Sequence, residues 1–77
     1  MPMLQHVDGN ERTRLRLLEN WLPLAQAENS EQHWELNAEQ IEALIVIAAP
    51  ALRAATNTLT ARAILWYHRR QIMQEAP

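Results

Sequence analysis

Residues 36–55 read LNAEQIEALIVIAAPALRAA, and their interpretation decides the fold. Asn37 can cap a helix, Gln40 stands three places on to reach back to the cap's amide, and Leu36 and Ile41 bracket them as a hydrophobic staple. A helix therefore starts here. Ile41, Leu44, Ile45, Ala48, Leu52 and Ala55 fall on one of its faces, and Val46 and Ile47 add apolar surface elsewhere. A helix apolar most of the way round is central and buried. Pro50 removes one backbone bond and predicts a kink or a break. Small residues at 48, 49, 51, 54 and 55 let another helix approach closely.

Upstream, Asp8 with Glu11 three places on reads as a capping box for a helix over about 9–27. Leu15, Leu18, Leu22 and Ala25 make one stripe, widened by Leu17 and Trp21. Pro23 predicts an end near Leu22 or a kink. Residues 28–35 are polar and read as a connecting loop. Downstream, Thr56-Asn57-Thr58-Leu59-Thr60 is rich in capping residues, so a third helix is expected over about 57–74. Leu59, Ala63, Trp66 and Met73 mark one face of it, and Leu65 and Ile72 an adjacent one. Without a glycine C-cap between them, the last two helices could also form one bent helix over 38–74.

The expected fold is thus all-α: a single domain over residues 1–77, built as a small bundle or hairpin of two to three antiparallel helices. Composition agrees. Twelve alanines, eleven leucines and six glutamines favour helix, while β-branched and aromatic residues are too few for a sheet. A chain of 77 residues buries only about 60% of the surface its unfolded form exposes, and small cores usually need a staple or a partner. The apolar surface of the middle helix exceeds what one such chain can cover. A homodimer built on the second and third helices is therefore expected.

Several functional classes drop out. Cysteine is absent, which excludes disulfides, iron–sulfur clusters and thiolate zinc sites. Gly9 is the one glycine, too few for loops that cradle phosphates or dinucleotides. No histidine pair among His6, His33 and His68 has metal-ligand spacing. The one serine, Ser30, and the one aspartate, Asp8, fall in loop and cap positions and support no catalytic triad. No catalysis, no cofactor and no metal are expected. The longest uncharged run, residues 43–52, is too short to span a bilayer, and residues 1–8 lack a basic, apolar signal pattern, so a cytoplasmic location is expected. Attachment by an amphipathic helix is a poor fit, because the apolar helix begins with glutamates.

Three clusters remain, each with a plainer reading. Glu28, Glu31, Glu35, Glu39 and Glu42 form an acidic run, with helical spacing for the last three. It offers a face to an arginine-rich partner, or it is a dipole-complementing, solvated stretch. Arg12, Arg14 and Arg16 are basic, with Arg12 and Arg16 on one face. They could pair with the acidic segment of the same or a second chain, or simply be solvated. Arg62, Trp66, Tyr67, His68, Arg69 and Arg70 make an aromatic and basic group. Arginine and tryptophan dominate protein interfaces, whereas the plainer reading places Trp66 in the core and the arginines in water. Trp21 and Trp66 suit core positions, and Trp34, between His33 and Glu35, suits an exposed anchor.

The expected function is a non-enzymatic protein-binding module that inhibits, adapts or regulates a larger protein. Trp34, Arg62, Tyr67, Arg69 and Arg70 are the expected partner-binding residues. Compact phage and mobile-element genomes encode small helical antagonists of host factors, a class-level analogy for such a chain. The alternative is a DNA-binding regulator that uses residues 59–71 as a recognition helix. The net charge of −2 weighs against it.

Overall fold

The computed structural model describes the backbone of residues 2–75 and the side chains of residues 11–73. It contains three helices, α1 (Pro2–Glu31), α2 (Ala38–Ala54) and α3 (Thr58–Glu75), and no strand among the described residues. The fold is all-α, as the composition requires.

The start of α2 follows its local code. Asn37 Oδ1 accepts from the Gln40 amide at 2.8 Å, and Gln40 Oε1 accepts from the Asn37 amide at 2.9 Å. Leu36 and Ile41 are both buried in the core. The helix continues through Pro50 rather than breaking there. Proline deprives the carbonyl four residues back of its donor. Here that carbonyl belongs to Val46, and both residues are exposed, so water can replace the bond. α1 likewise passes Pro23, with Glu19 and Pro23 both exposed.

The first helix is longer than its capping signal implies. It starts at Pro2, so the backbone at Asp8 is interior to the helix and not its cap; the Asp8 side chain lies outside the described residues. It also runs on to Glu31, which moves Glu28 out of the expected loop and into the helix. The connection shrinks to residues 32–37 and takes Glu35 off any helix. α2 and α3 are separate. Ala55 turns to extended backbone, with its amide on the Leu52 carbonyl at 3.1 Å. Asn57 then caps α3, its Oδ1 accepting from the Thr60 amide at 2.8 Å. This re-capping ends α2 without a glycine.

α2 packs on both other helices, which touch each other much less. Arg14 meets Glu42, and Trp34, just before α2, meets Trp66 in the second half of α3, so the chain doubles back at each connection. The helices form a layer with Cα extents of 44 × 33 × 17 Å. Leu44, Ile45, Ala48 and Leu52 of α2 hold the centre, against Ala25 of α1 and Ala61, Leu65 and Ile72 of α3.

Two stripes differ from expectation. On α1, Leu18, Trp21 and Leu22 pack partly buried against the core, but Leu15 is exposed. On α3, the core takes the Leu65–Ile72 face with Ala61. The other face, with Leu59, Ala63, Trp66 and Met73, points outward. Ala61 explains the choice, since a fully buried alanine lets α3 approach the alanine-rich flank of α2 closely. Val46 and Ile47 are also exposed, because a single layer leaves the central helix open on part of its circumference.

Candidate functional site

Glu28 is the most unusual residue of the core. It follows Leu18, Trp21 and Ala25 on the packed stripe of α1, so helical spacing carries a carboxylate into the interior, where it is 2% exposed. A buried charge must be paired and hydrogen-bonded. α3 supplies both partners from successive turns. The Trp66 indole N–H donates to Glu28 Oε1 at 2.7 Å, and Arg62 Nε lies 3.4 Å from Oε2. Among the described residues no buried side-chain polar atom lacks a partner.

The end of α1 and the connection after it are equally constrained. The amides of His33 and Trp34 return to the carbonyls of Ser30 and Asn29, at 3.3 and 3.0 Å, the Schellman pattern that closes a helix. His33 takes the left-handed position usually given to glycine, with φ of 55°, and Glu35 follows with φ of 62°. Asn29 clasps Leu36 from both sides, accepting from its amide at 2.9 Å and donating to its carbonyl at 3.2 Å. These bonds set Trp34 edge-on to Trp66, with ring centroids 6.3 Å apart and planes at 79°. The Arg69 guanidinium covers Trp34 at 5.2 Å from the ring centre.

The two tryptophans therefore exchange their expected roles. Trp34, expected as an exposed anchor, is 7% exposed and belongs to the core. The helix-closing turn folds it inward, a constraint that its polar neighbours conceal. Trp66, assigned to the core by its apolar spacing, is 48% exposed while its N–H end is fixed on Glu28. Tyr67 is 67% exposed, with its ring edge-on to His68 at 5.1 Å. His68 contacts Gln71 at 3.1 Å. Arg70 is exposed and Arg69 half-buried.

Around Trp66 the surface is concave. A hollow of about 570 Å³ is lined by Trp34, Trp66, Tyr67, Arg69 and Arg70, with Gln32 and Ala63. A second hollow of about 330 Å³ shares Gln32, Ala63 and Trp66 and adds Glu28, Glu31, Leu59 and Arg62. All five expected partner-binding residues thus line one continuous rim. Glu28, Glu31, Gln32, Leu59, Ala63 and Trp66 complete the lining and were not among the five expected residues. The signal for Glu28 was present in the Leu18–Trp21–Ala25 spacing, which its charge overrode.

The other clusters disperse. Arg14, rather than Arg12 or Arg16, reaches the acidic segment, at 3.1 Å from Glu42. Arg12 and Arg16 line a hollow with Arg53 instead. Among the described residues no group of His, Cys, Asp or Glu is placed to hold a metal ion. No helix among them is long and apolar enough to cross a membrane. Comparison of the chain with protein-family models, with curated proteins and with solved structures finds no match.

Proposed function

We propose that the protein is a non-catalytic binding module that docks the outward face of α3 on a larger protein and thereby inhibits, adapts or regulates it. The observation that carries this reading is Trp66, half exposed and yet fixed by its indole on the buried Glu28. An aromatic side chain held in place before binding loses little freedom on docking, and tryptophan, tyrosine and arginine are the residues that contribute most at interfaces. Leu59, Trp66 and Met73 recur every seven residues on one exposed face, with Ala63 and Arg70 between them. That spacing suits a helical partner laid along α3. Arg70, in the hollow that no carboxylate lines, favours an acidic residue in that partner.

A DNA-binding role for residues 59–71 draws on the short 55–57 connection and the arginines of α3. It has less support, because Glu28 engages Arg62 and Glu31 borders the same hollow. Phosphates would meet carboxylates there.

The test compares the wild-type chain with a Tyr67→Ala/Arg70→Glu variant as baits in nuclease-treated lysate. Arg69 is left alone because it covers Trp34. The expected result is one near-stoichiometric protein on the wild type, lost from the variant while its circular dichroism is unchanged. Equal capture by both excludes this face. Salt-dependent retention of the wild type on duplex DNA, without protein capture, favours the nucleic-acid reading.

A further inference from the structure

We infer that the exposed face of α2 is a two-fold contact between two copies of this chain, independent of the α3 groove. The stripe that leads to this runs Glu39, Val46, Arg53. These residues are seven apart, so they share one helical face. All three are exposed, with Pro50 also exposed and Ala43 half-buried between them. Ile47 broadens the apolar centre. The stripe is acidic at its first turn, apolar in the middle and basic in its last turn.

Such a pattern is self-complementary. Two helices related by a two-fold axis through Val46 run antiparallel, and each position is then matched by one equally far on the other side of Val46. Glu39 lies about 10 Å before it and Arg53 about 10 Å after it, at 1.5 Å per residue. The contact sets Val46 on Val46 and places Glu39 of each copy opposite Arg53 of the other. A parallel pairing would set like charges together at both ends. The charges therefore select a second copy in one orientation.

The surroundings of the stripe fit the same occupant. Beside Val46 and Ile47 a hollow of about 690 Å³ opens between α1 and α2, with Leu17 and Ala43 in its lining and the Arg14–Glu42 pair at its edge. Beside Arg53, Arg12 and Arg16 from α1 close on a hollow of about 400 Å³ that no acidic residue lines. Glu39, Arg12, Arg16 and Arg53 have no ion-pair partner among the described residues. In the antiparallel pair, the acidic start of one α2 enters the three-arginine end of the other. One contact thus covers the exposed apolar centre and balances both charged ends. None of these residues lines the hollows around Trp66, so α3 stays free for a different protein.

The test is molar mass by light scattering across the micromolar range, on the wild type, on Glu39→Arg, on Arg53→Glu and on the double variant. The wild type is expected at twice the 8.9 kDa chain mass. Each single variant sets like charges opposite each other and is expected near the mass of one chain. The double variant reverses both ends together and is expected to regain the dimer. An equal mixture of the two single variants is also expected to dimerise, since one copy then has a basic stripe and the other an acidic one. Circular dichroism separates lost pairing from lost folding, and recovery in the mixture shows that each single variant is folded. A wild type that stays at the mass of one chain overturns the inference. So does a dimer that both single variants retain, or a pair of monomeric singles that neither the double variant nor the mixture rescues.

Discussion

The two connections of this molecule are built on opposite plans. Residues 32–37 are held by the Schellman bonds of His33 and Trp34, by the Asn29 clasp on Leu36 and by the Asn37–Gln40 box. Two non-glycine residues take positive φ to complete it. Residues 55–57 have one backbone bond from Ala55 and one side-chain cap from Asn57. The first connection fixes part of the proposed docking surface, because it sets Trp34, on which Arg69 lies. The second only reverses the chain. The position of α3 must then come from its core contacts and from Glu28, not from the turn that leads into it.

That contrast can be broken at four points. Leu65→Ala removes a fully buried side chain that seats α3, and a loss of about 3 kcal/mol is expected in chemical denaturation. A loss no larger than that of a surface change would mean that the turn, and not the core, places α3. Asn29→Ala opens the clasp on Leu36 and is expected to cost about 2 kcal/mol, because it leaves two partly buried backbone groups unpaired. It should also alter the near-ultraviolet signal of the tryptophans, which an unaffected connection would leave unchanged. Asn57→Ala removes the single cap of the plainer turn and is expected to cost about 1 kcal/mol in the same denaturation series. A loss above that of Asn29→Ala would invert the comparison. His33→Gly relieves the left-handed position and is expected to raise the unfolding midpoint, a gain of about 1 kcal/mol at most. A fall in the midpoint would show that the His33 side chain contributes more than its backbone strain costs.

The same contrast explains what was legible in the sequence. The start of α2 was readable to the residue because all its determinants lie within six positions, from Leu36 to Ile41. The helical class and the order of the elements followed from periodicity. The inward face of α3 was not readable. Two apolar stripes compete there, and the choice depends on where Ala61 can approach α2, a long-range fit. The start of α1 was misplaced because Asp8 resembles a cap, although the backbone there is already helical. Of the candidate site, Trp34, Arg62, Tyr67, Arg69 and Arg70 were recognisable by residue type, and the structure brings them together. The burial of the two tryptophans was not recognisable, because the turn at His33 folds Trp34 inward and the face of α3 that carries Ala61 turns to the core and leaves Trp66 outward.

The layered arrangement has a kinetic consequence. Each helix packs chiefly on the one next to it in sequence, and α1 and α3 meet far less. Contacts made at short sequence separation close cheaply, and helical domains of this kind fold in microseconds to milliseconds. Temperature-jump relaxation followed through the tryptophans should therefore be fast. Trp66 binds Glu28 across 38 residues, so the bond that holds the outward tryptophan also closes a long loop between α1 and α3. A helix pair on either side of α2 can assemble before that loop closes, and the completed α3 face is then a late product of folding.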